Sequence, residues 1–262
     1  MLINDIFILI AAGILVGLIG SFFGIGGGVL IIPILNFLFP ELPQQSIIAC
    51  SLSIIAINSV IHTINYSKHY QYKYKIILSI ALFSIISSVL VSLWVQHINS
   101  TLLRWIFAIF LLGISAYMVI RSDQVSENRS ENSFLSSILI GISTGLISGF
   151  TGVGGGVANI PLLIRFTKID IQQIAAYSNA IMIFTTLSAV STFAFAGQQS
   201  LQFYSIGYLL PELILYMAIG GLIGSKAGIR INLRTEPKNY KKSLTLLFVV
   251  LSITMIIKLI IA

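Results

Sequence analysis

Residues 13–35 read GILVGLIGSFFGIGGGVLIIPIL, and 128 positions later residues 141–163 read GISTGLISGFTGVGGGVANIPLL. Fourteen of these 23 positions are identical, among them Gly24, Gly26, Gly27, Gly28 and Pro33 with their counterparts Gly152, Gly154, Gly155, Gly156 and Pro161. Apolar composition alone does not place glycines and a proline in register twice, so the chain carries an internal repeat, the feature to look for before any other. The match continues past one gap: Gln45 and Ala49-Cys50-Ser51 align with Gln172 and Ala176-Tyr177-Ser178. A polar stretch, 121–132, lies between the copies. The expected organisation is a first repeat over 1–120, a linker over 121–134 and a second repeat over 135–262. Asn128-Arg129-Ser130 in the linker has the form of a glycosylation acceptor, a triplet common by chance.

Working outward from the repeat, composition fixes the solvent. Of 262 residues 56% are hydrophobic and only 9% charged, where a soluble domain carries about 25% charge. Too little water-compatible surface exists to cover a globule, so apolar surface faces lipid. Each half offers four apolar segments, roughly 6–39, 46–66, 76–95 and 102–120, then 135–166, 172–195, 206–228 and 242–261. Lipid leaves helices and closed barrels as the only spanning structures, and the period-two alternation of barrel strands is missing. The predicted fold is therefore an all-α integral membrane protein with eight hydrophobic segments in two four-segment repeats.

The formal charge of +7 would suggest nucleic acid in a soluble protein. Here the basic residues lie between apolar runs, where they set membrane orientation instead. The run from Tyr66 to Lys75 interleaves tyrosines with lysines and reads as an interfacial anchor. The single Cys50 excludes an intrachain disulfide, and the N-terminus lacks the basic region of a signal peptide.

Segments 6–39 and 135–166 are too long for one crossing: as straight helices they would reach about 50 Å against a hydrocarbon core of about 30 Å. Both are interrupted by Gly-x-Gly-Gly-Gly, and glycine costs about 1 kcal/mol in a helix interior relative to alanine. A tilted broken span and a re-entrant pair of half-helices both fit. If all eight segments cross, the best orientation puts nine Lys and Arg inside and six outside; if segments 1 and 5 are re-entrant from opposite faces, the division becomes thirteen to two. The excess of basic residues expected on cytoplasmic loops favours the second arrangement. Each half then crosses an odd number of times, which makes the repeats inverted, an architecture recurrent in transporters.

A helix that opens inside the bilayer presents unpaired N–H groups and a partial positive charge, and glycines let an anion approach them. The candidate substrate-binding residues are thus Gly24, Gly26, Gly27, Gly28 and Pro33 in one half, and Gly152, Gly154, Gly155, Gly156, Asn159 and Pro161 in the other. Ser51, Ser178 and Asn179 add hydroxyl and amide donors on the following segments, with Ser53 and Asn58 nearby. Gly13, Gly17, Gly141, Gly145, Gly149, Gly220, Gly224 and Gly228 have the small-xxx-small spacing of close helix packing. His62 and Glu212 are the candidates for proton coupling. Glu212 after Pro211 also suits a helix first turn.

With both Gly-x-Gly-Gly-Gly-x-x-x-x-Pro motifs in view (Gly24 to Pro33, Gly152 to Pro161), the sequence resembles the sulfite exporter TauE/SafE family of membrane permeases over essentially its whole length. The resemblance implies transport of sulfite, an organosulfonate or a related sulfur oxyanion across the bacterial cytoplasmic membrane by a multi-pass protein. It lends no support to His62, Asn159 or Glu212, which lie outside the matched motif. The expected function is a secondary transporter exporting a small anion by alternating access; the alternatives are an anion channel and a proton-coupled importer. An interior-negative potential favours export, by about 2.3 kcal/mol per charge per 100 mV. The chain offers no nucleophile–base pair, carboxylate pair or Cys/His cluster, so enzymatic activity, a metal and a cofactor are not expected. The expected partners are the anion and the bilayer, without nucleic acid; a homodimer is left open.

Overall fold

The computed structural model describes residues 3–120, 134–196 and 205–236, with short pieces at 242–243, 246–247, 249–250 and 253–254. The elements are α1 (Ile3–Phe23), α2 (Gly28–Leu38), α3 (Gln44–Tyr66), α4 (Tyr74–Val95), α5 (Ser100–Ile120), α6 (Phe134–Thr151), α7 (Gly156–Phe166), α8 (Ile171–Ala196) and α9 (Pro211–Arg234). Among the described residues no strand forms; Ile206 and Leu209 make one isolated bridge. Among the described residues six helices (α1, α3, α4, α6, α8 and α9) are long and apolar enough to cross a membrane. The expected linker and most of the last expected segment, 242–261, lie outside the described residues, although Phe134, placed in the linker, opens α6.

The chain breaks at the glycine clusters because the backbone there is left-handed. Gly24, Gly26 and Gly27 have φ of 71°, 70° and 85°, and Gly152, Gly154 and Gly155 have 71°, 77° and 80°, values that side chains with a Cβ rarely adopt. The two arms of each break are unequal. α1 has 21 residues, about 31 Å at 1.5 Å per residue, and α2 has 11; α6 has 18 and α7 has 11. So each unit is one long helix followed by a half-length one, not two half-helices. Pro33 and Pro161 are inside the short arms, past the first turn.

Contacts fix the helix directions. A Cβ on Gly13 would collide with the Met217 carbonyl, on Gly17 with that of Gly221, on Gly224 with that of Ile14 and on Gly228 with that of Leu18. The numbers rise together, so α1 and α9 run parallel with their backbones in contact. Likewise Gly141 meets Ile80, Gly145 meets Ser84 and Ser88, and Gly149 meets Val91, so α6 runs parallel to α4. The small-residue stripes therefore serve packing, as their spacing predicts. α3 and α8 cross antiparallel. Cys50 accepts from Leu210 N at 3.4 Å, near Tyr208, whose N–H bonds Phe193 O at 3.2 Å. Further along α3, His62 meets Asn179, and Tyr66 clusters with Ala175 and Ala176.

These packings respect the repeat: exchanging the halves converts α1 on α9 into α6 on α4, and α2 on α3 into α7 on α8. α3 and α8 occupy the same repeat position and yet run in opposite directions. Charge separates by end. Lys68, Lys73, Lys75, Arg165, Lys168, Arg230 and Arg234 are exposed at the end where α3 and α9 finish. Arg104 lies at the other, its guanidinium donating to Gln44 Oε1 at 3.3 Å and Pro40 O at 3.4 Å. Among the described residues no Lys, Arg, Asp or Glu is buried, whereas Leu78, Leu82, Ile86, Leu90 and Trp94 form an exposed apolar stripe down α4.

Candidate functional site

The backbone ladder of α2 begins with Leu30 N and Ile31 N donating to Gly27 O at 2.9 and 3.0 Å; that of α7 begins with Ala158 N and Asn159 N donating to Gly155 O at 3.0 and 2.9 Å. The N–H groups of Gly28, Val29, Gly156 and Val157 thus stand ahead of their ladders, where a helix N-terminus concentrates partial positive charge. No acidic side chain occupies the first turn of either helix.

The two helix starts meet. A Cβ on Gly28 would come within 2.7 Å of Val153 Cα and 3.0 Å of Gly152 O; one on Gly156 would come within 2.7 Å of Ile25 Cα. Both meet at the centre of the crossing helices. Gly26 and Gly28 abut Ile55, the middle residue of α3, while Gly26 and Gly156 abut Met182, near the middle of α8. From that level α2 runs back to the start of α3, and α7 to the start of α8, so each glycine-broken unit begins and ends at one end of the bundle.

Ser51 and Ser178 brace the arrangement. Ser51 Oγ donates to Gly152 O at 2.8 Å and Ser178 Oγ to Gly24 O at 2.8 Å. Each serine holds the last carbonyl turn of the opposite half's long helix. Their hydroxyl protons are committed, so in this conformation neither donates to an anion, in contrast to the expectation from sequence. The glycine faces themselves are covered: Ile55 side-chain atoms stand against Gly26, Gly28 and Gly154, and Met182 against Gly26 and Gly156. The conformation is closed over its own helix starts.

Asn159 lies in the first turn of α7, fully buried. Thr144 Oγ1 bonds both Asn159 Oδ1 and, at 2.7 Å, Ile140 O. The Asn159 Nδ2 has no partner among the described residues. Asn179 donates through Nδ2 to Ala175 O at 2.8 Å, which turns Oδ1 toward His62 Nδ1, 3.1 Å away. Glu212 is exposed in the first turn of α9 behind Pro211. That is the helix-start position, and the structure does not bring it to His62. Ser53 back-bonds Ala49 O at 2.8 Å, the ordinary fate of a helical serine.

Sequence reasoning missed Ile55, Met182, Thr144 and Ser59. A signal for the first two existed: each stands four residues past the repeat's serine, Ser51 or Ser178. Hydrophobic residues in an apolar helix nevertheless say nothing by themselves about what they cover. Among the described residues no three His, Cys, Asp or Glu gather as metal ligands.

Comparison with known proteins agrees with this architecture. The family model described as "Sulfite exporter TauE/SafE" matches residues 9–255. A protein of Methanocaldococcus jannaschii named as a probable membrane transporter is 32% identical over 257 residues, covering 95% of each chain. A Haemophilus influenzae protein of the same description is 31% identical, covering 79% of this chain and 82% of the relative. A Bacillus subtilis relative, the probable membrane transporter YunE, is 24% identical over 88% of this chain and 90% of its own length. No solved structure matches the chain.

Proposed function

The chain belongs to the sulfite exporter TauE/SafE family of membrane transporters, and from that premise we propose that it moves a small oxyanion, sulfite or an organosulfonate, outward by alternating access. The observation behind this reading is the meeting of two half-length helix starts, α2 and α7, midway along α3 and α8. Two positive helix ends at one point attract a single anion without a buried Lys or Arg, whose insertion at mid-bilayer is costly. The cradle consists of the N–H groups of Gly28, Val29, Gly156 and Val157, and Ser51 and Ser178 keep its walls in place.

The antiparallel crossing of α3 and α8 supports inverted repeats: two equivalent spans that traverse the bilayer in opposite directions are related by an axis lying in the membrane. The basic end, with Lys68, Lys73, Lys75, Arg165, Lys168, Arg230 and Arg234, is the cytoplasmic one. α2 then occupies the outer half of the bilayer and α7 the inner half. The protein works in a cytoplasmic membrane, as two four-segment repeats whose segments 1 and 5 are re-entrant. Transport requires Ile55 and Met182 to withdraw from the glycines, and movement of the α1–α9 pair against the α4–α6 pair, each held together by backbone contact, supplies such a motion.

Flux into proteoliposomes across sulfite, sulfonates, sulfate and carboxylates, with and without an imposed potential, tests the proposal. Saturable sulfite flux that exchanges labelled for unlabelled anion is the expected result. No anion flux, or flux that never saturates, overturns it, the latter in favour of a channel.

A further inference from the structure

Within little more than one turn of α3 lie three fully buried side chains that carry polar atoms with no partner among the described residues: both amide atoms of Asn58, the Ser59 hydroxyl and His62 Nε2; the half-buried Thr63 beside them adds its own unpaired hydroxyl. All three residues are 0% exposed. An unmade hydrogen bond of this kind costs about 1–3 kcal/mol per group, so four orphan atoms in one place are not a packing accident. Asn58 and His62 are four residues apart and share a helix face. The Asn58 amide fills the space where Gly221 of α9 lacks a Cβ: one built there would lie 2.6 Å from both Nδ2 and Oδ1.

The repeat provides the control. One gap after the glycine motif, Asn58, Ser59 and His62 correspond to Thr185, Thr186 and Ala189. There the same positions are satisfied: Thr185 Oγ1 bonds Ser84 Oγ at 2.9 Å, and Thr186 Oγ1 donates to Met182 O at 2.6 Å. At these positions the second half has its hydroxyls paired, one of them with Ser84 of the first half, whereas the first half leaves its polar atoms open in an equivalent setting. That difference marks a ligand position and not a demand of the fold.

The donor and acceptor pattern identifies the ligand class. Asn179 Nδ2 is held by Ala175 O, so its Oδ1 accepts from His62 Nδ1. The proton is thereby fixed on Nδ1, and Nε2 is left as a bare acceptor. Asn58 Nδ2 and the Ser59 hydroxyl are donors, and Asn58 Oδ1 is a second acceptor. An anion with only acceptor oxygens satisfies the donors and leaves Nε2 facing a lone pair. An oxyanion that keeps one acid O–H satisfies both kinds. We propose that Asn58, Ser59 and His62 form a second substrate station, between the glycine centre and the cytoplasmic end, selective for a singly protonated oxyanion such as hydrogen sulfite. The station rests on the transport reading above and specifies the form of the anion that the protein accepts.

Hydrogen sulfite and methanesulfonate have the same charge and similar size, and only the first bears an O–H, so the test is competition in the intact protein. In proteoliposomes at a pH where hydrogen sulfite predominates, unlabelled hydrogen sulfite should compete with labelled sulfite about tenfold better than methanesulfonate does, the discrimination a polar site exerts through one hydrogen bond to a charged partner. His62→Leu should reduce that ratio to near unity, and His62→Gln, which retains an acceptor, should restore part of it. Equal competition in the wild type, which needs no variant to fold, overturns the station while leaving anion transport intact. An unchanged ratio in His62→Leu does the same. Absence of any sulfite flux in the wild type removes the transport reading itself, and the station with it.

Discussion

Replacing Gly28 by alanine separates the consequences of a closed glycine centre from those of ordinary helix chemistry. Gly28 is the first residue of α2 and lies outside the positive-φ set, so alanine meets no backbone strain there and gains up to about 1 kcal/mol of helix propensity. Against this, its Cβ would lie 2.6 Å from Ile55 Cδ1, 2.7 Å from Val153 Cα and 3.0 Å from Gly152 O. The isoleucine tip can rotate away, but the two backbone atoms belong to the other half's turn, and moving them separates the halves. Overpacking of this kind costs about 1–3 kcal/mol, so the net change is a loss of up to about 3 kcal/mol. Gly156→Ala, 2.7 Å from Ile25 Cα and Met182 Sδ, should behave alike. Gly113 in α5 has nothing within 4 Å of its Cβ position, and Gly113→Ala should be neutral or stabilising. Thermal unfolding in detergent reads the difference, at roughly 2–4 °C per kcal/mol for a chain of this size, and sulfite flux reads the function. Flux in Gly28→Ala and Gly156→Ala should fall further than stability does, because the added methyl stands between the two sets of free N–H groups. If both variants match Gly113→Ala in melting temperature and in flux, the two helix starts do not form one centre.

Three other outcomes follow from the same contacts. Ser51→Ala and Ser178→Ala each strand a buried carbonyl and should cost about 1–3 kcal/mol; the braces hold different turns, so the double variant should be additive in a melting experiment, and a strongly non-additive result would show that they act as one unit. Gly221→Ala should destabilise, because its Cβ would press on Asn58 Nδ2 and Oδ1 at 2.6 Å, and Asn58→Ala in that background should recover most of the loss; no recovery would place the clash elsewhere. Cysteines introduced as Ser67→Cys and Glu236→Cys in a Cys50→Ser background should label from the same side of the membrane, and Asn99→Cys from the opposite one; labelling of residues 67 and 236 from opposite sides would refute the inverted arrangement.

Much of this could be read in the sequence because glycine and charge report local physics. Four glycines in five positions stop a helix wherever the rest of the chain goes, so Gly24–Gly28 and Gly152–Gly156 marked their turns in advance. The small-residue stripes at Gly13, Gly17, Gly220 and Gly224 announced close packing, but the sequence did not name the partners. That α1 lies on α9 and α6 on α4, each pairing one half with the other, depends on the order in which a bundle closes, and no periodicity encodes it. Ser51 and Ser178 stand out in the sequence as hydroxyls on the segments after each glycine motif, and in this conformation they bond Gly152 O and Gly24 O. A serine hydroxyl suits an oxyanion and a helix-end carbonyl equally well, and only the fold, by bringing Gly152 and Gly24 within 2.8 Å, decides between them. The unequal arms of each break were hidden because three glycines within α1 do not interrupt it: Gly13 and Gly17 pack tightly against α9 and Gly20 against the Gly26–Gly27 turn, which offsets their propensity cost.

The packing around the repeat bears on how the proposed transport would open a closed centre. Both long helices are locked by backbone contact with a helix of the other half, α1 to α9 and α6 to α4, and glycines without room for a Cβ do not slide easily. Neither pair yields cheaply, so the motion that the proposed transport needs falls where the halves meet through side chains, at the antiparallel crossing of α3 and α8. There the seal consists of one isoleucine and one methionine, Ile55 and Met182, whose ends touch the glycines of both turns. A rotamer change in the flexible Met182 and a turn of the Ile55 tip about its outer bond cost less than parting two glycine-packed helices. The asymmetry of the polar positions then gives the two faces different tasks. Toward the basic end α3 presents Asn58, Ser59 and His62 with open hydrogen-bonding atoms, whereas α8 presents Thr185 and Thr186 with theirs already paired on the other side of the crossing. If the proposed anion transport holds, the symmetric pair of helix starts serves both directions alike, and the unsymmetric polar flank distinguishes the approach from the basic end.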